Sequence, residues 1–199
     1  MSIISRKKLS FHFVLLASMN LVGCKSSNDD VEEKHQCGDI VAEFNGVPVR
    51  YNSGGVDSCQ EGRHLSSDGK YSYGMKWQCV EFVRRYYFDA LNHRMPEKYG
   101  NAKDYFRDNI PHGGLNTERD LIQYQNQNTE KPRVNDLLVC PKMAGGYGHV
   151  SIIKQVEDNK LTVIQQNTSS PTDEYSLQNK DGVWTIGREC AGFLRKASQ

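Results

Sequence analysis

The chain has 199 residues, 37% hydrophobic and 25% charged, which suits one globular domain with a sizeable core and argues against a second. Its 25 Lys and Arg are scattered among 24 Asp and Glu, so no basic patch able to track a phosphate backbone is visible. Nucleic acid is not an expected partner.

Residues 1–23 read as a targeting leader. Arg6, Lys7 and Lys8 form a basic start, and Leu9 to Val22 is a mostly apolar run too short to span a bilayer comfortably. The run ends in Leu21-Val22-Gly23-Cys24, which resembles a bacterial lipobox and implies cleavage before Cys24 and lipidation of its thiol. An ordinary secretory signal is the alternative. Lys25 stands where an inner-membrane retention signal would carry Asp, so in a two-membrane cell the expected location is the outer membrane, facing the periplasm. Loss of the leader removes three cations and no acid, leaving 22 against 24 and a net charge of −2. With Cys24, the polar stretch to residue 36 is expected to be a tether, and residues 37–199 the folded domain.

The first predicted elements are strands 40–44 and 47–51 around Asn45-Gly46, a strong hairpin signal, with Pro48 marking an edge strand. A Gly/Ser-rich connection, 52–75, leads into a predicted helix from Cys79 to about Asn92. On it Cys79, Phe82, Val83, Tyr86, Tyr87, Ala90 and Leu91 share one face, with Glu81, Arg84, Arg85 and Asp89 on the other. Short helices are expected over 102–109 and 118–125, separated by Pro111, Gly113 and Gly114. Strand 134–139, a glycine-rich loop 141–148, and a hairpin of 149–156 with 161–167 follow.

With Cys24 lipidated and Cys79 free, Cys37, Cys59, Cys140 and Cys190 allow three disulfide pairings in an oxidising compartment. The favoured pairs are Cys37–Cys59, closing a short loop around the first hairpin, and Cys140–Cys190, tying a strand to the last one. No Cys-x-x-Cys and no histidine pair at i, i+4 is present, so no metal site is expected.

Cys79 opens an amphipathic helix, and a helix start carries about half a positive charge that favours thiolate. Free cysteines are also common core residues. His149 stands at the mouth of a strand behind a glycine loop, where most histidines are structural or simply exposed. An amide on the adjacent strand can orient its ring. Hairpin register decides which: a three-residue loop brings Gln165 and Asn167 to the face of His149, whereas a two- or four-residue loop brings Gln166. Together the three elements have the layout of a cysteine hydrolase. Trp77, Phe82, Tyr86 and Tyr87 read as core, whereas Tyr73 and Tyr147 fall in loops expected to flank the cleft. Arg84 is either a clamp for a substrate carboxylate or a solvated helix charge, and His35, His64, His93 and His112 are expected to be exposed.

Trp77-Gln78-Cys79-Val80-Glu81-Phe82-Val83-Arg84-Arg85 and Gly148-His149-Val150-Ser151-Ile152-Ile153 resemble the two signature blocks of the CHAP family, the cysteine, histidine-dependent amidohydrolases/peptidases. Within it they look closest to glutathionylspermidine amidase domains, over about residues 38–195. The resemblance implies a papain-like (NlpC/P60-like) α+β fold, with a cysteine-bearing helix packed on an antiparallel sheet that carries the histidine. It implies Cys79 as nucleophile, His149 as general base and then acid, no cofactor, and Arg84 near the active site. Where those amidases carry a Glu-Gln-Asn run this chain has Gln165-Gln166-Asn167, so the third catalytic position becomes an amide, expected at Gln165. An amide orients imidazole but does not neutralise imidazolium, so the Cys79 pKa is expected to be less depressed than beside a carboxylate.

The expected activity is hydrolysis of amide bonds through a Cys79 thioester by an exported, lipid-anchored enzyme, with peptidoglycan peptides as first substrate and Arg84, Tyr73, Tyr147 and Asn167 as substrate contacts. A glutathionylspermidine-type amidase, or an inactive lipoprotein that binds wall peptides or a protein partner, is the alternative.

Overall fold

The computed structural model describes residues 35–52, 59, 62–187 and 189–197. The leader, the lipidation site Cys24 and the tether to residue 34 lie outside the described residues. Strands β1 (Ile40–Phe44) and β2 (Val47–Arg50) form the expected hairpin. Asn45 and Gly46 turn it with φ of +49° and +78°, backbone that these two residue types adopt with little strain. The supposed connection 52–75 contains a second ribbon, β3 (Arg63–Leu65) and β4 (Ser72–Met75). Strands this short and polar leave no periodicity to read.

Helix α1 spans Cys79–Leu91 and is capped by Asn92 in the left-handed conformation. Its apolar face packs as expected: Phe82, Val83, Tyr86 and Tyr87 are fully buried. Its polar face is buried too. Glu81 is 0% exposed, Arg84 2% and Arg85 3%, because β2 and β4 pack on that side and supply partners for the charges.

The main sheet comprises β5 (Gly114–Asn116), β6 (Leu121–Gln125), β7 (Leu137–Cys140), β8 (His149–Val156), β9 (Lys160–Ile164), β10 (Thr172–Lys180), β11 (Val183–Ile186) and β12 (Gly192–Arg195). It is antiparallel throughout, in the order β11-β10-β9-β8-β7-β12-β6-β5. Residues alternate between two cores: Leu137, Val139, Val150, Ile152 and Ile164 face α1, whereas Leu138, Cys140, Ile153, Leu161 and Val163 join Tyr175, Leu177 and Ile186 on the other side. The expected α+β class holds.

Two helix assignments fail. Residues 118–125 end in strand β6, where Leu121 and Gln123 are buried and Ile122 and Tyr124 half-buried; hydrogen bonding to β5 and β12 on its two sides overrides weak helical spacing. Of 102–109 only a 3₁₀ turn, Ala102–Tyr105, is helical.

Both favoured disulfides, Cys37–Cys59 and Cys140–Cys190, are formed. The second ties the end of β7 to a residue two positions before β12, across 50 residues of chain. Replacing both Cys140 and Cys190 by Ala is expected to lower stability by about 4 kcal/mol, most of it through greater freedom of the unfolded chain. Urea denaturation of the two proteins under oxidising conditions measures it; an unchanged midpoint would contradict this assignment.

Candidate active site

Helix α1 begins where β4 turns into it. The Phe82 N–H donates to the Gln78 carbonyl at 3.2 Å, which leaves the N–H groups of residues 79–81 without partners inside the helix. Cys79, the free cysteine among the described residues, is 9% exposed. Backbone N–H groups of Val150, Val80 and Cys79 itself approach its sulfur and favour thiolate, but burial outweighs them and pushes the thiol pKa up. The depression expected from the helix start is therefore overturned in the resting site.

Val150 follows His149, so its N–H brings the sulfur to the mouth of β8, and Cys79 and His149 line one cleft of about 380 Å³. His149 is 4% exposed. Its Nε2 lies 3.0 Å from Gln165 Oε1, and Gln165 in turn donates from Nε2 to the Ser170 carbonyl at 3.2 Å. That second bond fixes which end of the amide faces the ring, so Nε2 of His149 is the donor and Nδ1 is left to accept a proton. Burial pushes the His149 pKa down, against the hydrogen bond to Gln165 and the charge of Asp173.

Gln165 reaches His149 by an unexpected route. The β8–β9 hairpin closes at Val156 opposite Leu161, which leaves four residues in the turn and would bring Gln166 to the histidine face. A bulge between Ile153 and Gln155 shifts the register by one, so that Ile153 pairs with Val163 and Ile152 with Ile164. Gln165 thereby meets His149, and Gln166 turns to α1.

There Gln166 enters a buried knot. Its Nε2 donates to Glu81 Oε2 at 2.7 Å and to the Gln78 carbonyl at 3.1 Å, while its Oε1 accepts from the Arg50 N–H at 2.8 Å and from Arg85 at 3.3 Å. Glu81 also pairs with Arg85 Nε and His64 Nδ1, each at 2.7 Å. Burial alone would raise the Glu81 pKa, but the hydrogen bond from His64 and the charge and hydrogen bonds of Arg85 hold it below the usual carboxylate range. Asn167 extends the link: its Nδ2 donates to Gln78 Oε1 at 2.8 Å, and its Oδ1 accepts from Asn52 at 2.9 Å.

Of the expected substrate contacts, Tyr147 and Asn167 line the cleft. Arg84 and Tyr73 do not. The Arg84 guanidinium is neither a clamp nor solvated: it donates to the carbonyls of Ser72, Met95 and Glu97 and lies 4.9 Å from the Tyr71 ring. Tyr73 is buried and donates its hydroxyl proton to Asp89 at 2.8 Å. Of the histidines expected to be exposed, His35 and His112 are, whereas His64 is half-buried on Glu81, and His93 is buried with Nε2 2.9 Å from the Arg119 carbonyl. Sequence reasoning missed the roles of Glu81 and Gln78, and weighed Gln166 only as a partner of His149. Their one legible signal is that a carboxylate and an amide flank the cysteine two residues after and one before it.

The floor of the cleft is close-packed where the loop 141–148 meets the 3₁₀ turn. Lys103 N–H donates to the Tyr147 carbonyl at 3.0 Å, and a Cβ on Gly148, whose φ is +83°, would stand 2.5 Å from Lys103 N.

Glu81→Gln leaves Arg85 buried beside a neutral amide and is expected to destabilise the fold by about 3–5 kcal/mol in urea titrations at pH 7. Because the folded pKa of Glu81 is depressed, its contribution is complete above the unfolded value and is lost as pH falls through the folded one. The gap between wild type and E81Q should therefore narrow on acidification below the usual carboxylate range. A gap constant with pH would refute the ion pair.

Residues 70–167 match the CHAP domain family. Two curated relatives are trypanothione synthetase of Crithidia fasciculata, 30% identical over 128 residues covering 61% of this chain and 20% of that protein, and the bifunctional glutathionylspermidine synthetase/amidase of Escherichia coli strain K12, 32% identical over 127 residues covering 57% of this chain and 20% of that protein. The chain thus spans about a fifth of the length of these relatives. The matched stretch holds Cys79, Glu81, His149 and Gln165, and over it the chain is similar to the CHAP domain family.

Proposed function

We propose that this protein is a cysteine amidohydrolase in which Cys79 attacks an amide carbonyl and His149 carries the proton. The observation that supports it best is the buried His149 Nε2···Gln165 Oε1 bond of 3.0 Å beside a cleft shared with the Cys79 sulfur. Held as the Nε2–H tautomer, His149 accepts the thiol proton at Nδ1 while sulfur bonds to the carbonyl carbon. The tetrahedral oxyanion is received at the start of α1, where the Cys79 N–H has no helical partner. His149 then protonates the departing nitrogen, the C–N bond breaks and a thioester remains. Water, losing a proton to His149, attacks the thioester and regenerates the thiol and a free acid. Catalysis by this route asks nothing of a metal or cofactor.

The match of residues 70–167 to the CHAP domain family supports hydrolysis of an amide or peptide bond. The two disulfides fit an oxidising compartment, which supports the exported, lipid-anchored location expected from residues 1–24 and hence peptidoglycan peptides as substrate. A glutathionylspermidine-type amidase is the second reading, favoured by the name of the E. coli relative.

Residues 25–199, incubated with peptidoglycan and analysed by mass, should release cleaved peptides that a Cys79→Ala control does not. No release, with Cys79 alkylated by iodoacetamide only after unfolding, would establish a binding protein instead. Gln165→Ala should lower kcat about 10²-fold, the low end of acid–base contributions, with a smaller effect on KM. With the thiol pKa raised and the imidazole pKa lowered, both groups are neutral at rest, so iodoacetamide alkylation of Cys79 should speed up as pH rises above neutrality. Gln165→Glu, which favours imidazolium, should move that rise to lower pH. A rise at the same pH in both proteins would count against the pairing of the two groups.

A further inference from the structure

Among the described residues the charges that line the cleft are of one sign: Arg63 and Lys98 do so, and no Asp or Glu does. Both cations converge on Tyr99, with Arg63 Cζ 5.4 Å and Lys98 Nζ 5.1 Å from the ring centroid. Neither forms an ion pair among the described residues. Tyr99, 58% exposed, supplies a flat apolar surface between the two charges. The nearest carboxylate in sequence, Glu97, is turned back to accept the Tyr99 N–H at 2.7 Å.

Two further cations stand behind this rim. The buried guanidiniums of Arg84 and Arg119 both donate to the Glu97 carbonyl, and Arg119 also to the Tyr99 carbonyl at 3.4 Å; neither is paired with a carboxylate among the described residues. They fix the backbone of 97–99 and add positive potential to the same side of the cleft. A polycationic group placed there meets two accessible like charges, with two more behind them whose field the Glu97 carboxylate offsets in part. A carboxylate meets two accessible donors and an aromatic face.

We infer that Arg63 and Lys98, presented by Tyr99, form a subsite for a free carboxylate of the substrate, so that the cleft selects an acidic peptide amide over the amide of a polyamine. This rests on the hydrolase reading and narrows its substrate class. Exposed charges act over about 8 Å at physiological salt, within reach of a neighbouring peptide unit.

The probe is a fraction of soluble peptidoglycan peptides, used as isolated and after carbodiimide amidation of its carboxyl groups. Binding is measured with the Cys79→Ala protein by calorimetry, and turnover with wild type. Amidation is expected to weaken both about tenfold, and the ratio should fall to about one in R63Q/K98Q and shrink in wild type as sodium chloride is raised. The salt series needs no substituted rim and stands even where R63Q/K98Q does not fold. Binding that ignores amidation, or a tighter complex with an acetylated spermidine that carries no carboxylate, would overturn the subsite. Charge-dependent binding without turnover would sink the hydrolase reading and leave the subsite standing, whereas turnover blind to amidation would sink the subsite alone.

Discussion

A carboxylate with no exposure to water, two residues past the cysteine, sets the geometry of this domain. Glu81 is tolerable where it lies only because Arg85, His64 and Gln166 all direct donors at it. Those three partners come from α1, β3 and the end of β9, so one charge binds three elements at the helix start. Gln166 sits beside Gln165, and Gln165 is the residue that orients His149. Satisfying Glu81 therefore also places the amide that serves the histidine, and hydrophobic packing, which is non-directional, would not by itself fix that placement.

The knot settles position and leaves ionisation to burial. A helix start contributes about half a unit of positive charge and a few aligned N–H groups, enough to depress an exposed thiol. At 9% exposure the loss of hydration is larger, and for His149 the same loss favours the neutral ring. A glutamate at position 165 would oppose this by stabilising imidazolium. Gln165 orients without adding charge, so burial leaves both groups of the resting pair neutral.

Much of this was legible in the sequence where periodicity or a short motif was strong. The Asn45-Gly46 hairpin, the helix opening at Cys79 and the strand opening at His149 follow from local chemistry, and the disulfides formed are the two favoured among three possible pairings. Three kinds of feature did not. Strand β6 owes its form to β12, distant in the chain, and the β3–β4 ribbon is local but too short and polar to show a period. The bulge after Ile153 depends on how two strands settle against both cores, and parity alone would have pointed to Gln166. The burial of Glu81, Arg84 and Arg85 reverses the ordinary reading of charges on a helix, because β2 and β4 cover a face that helical spacing marks as solvated.

The two buried arginines without carboxylates show what that reversal contributes. Backbone carbonyls are weaker partners for guanidinium than a carboxylate, yet Arg84 and Arg119 meet only carbonyls and the faces of Tyr71 and Tyr105, at 4.9 and 4.0 Å. A carboxylate between them would fit the local chemistry better and would also cancel the field behind the Glu97–Tyr99 segment. Carbonyl partners hold the rim in place while cancelling less of its charge than a directly paired carboxylate would. The two buried cations thus contribute both to the rigidity of the cleft wall and to the positive potential that Arg63 and Lys98 carry at its rim.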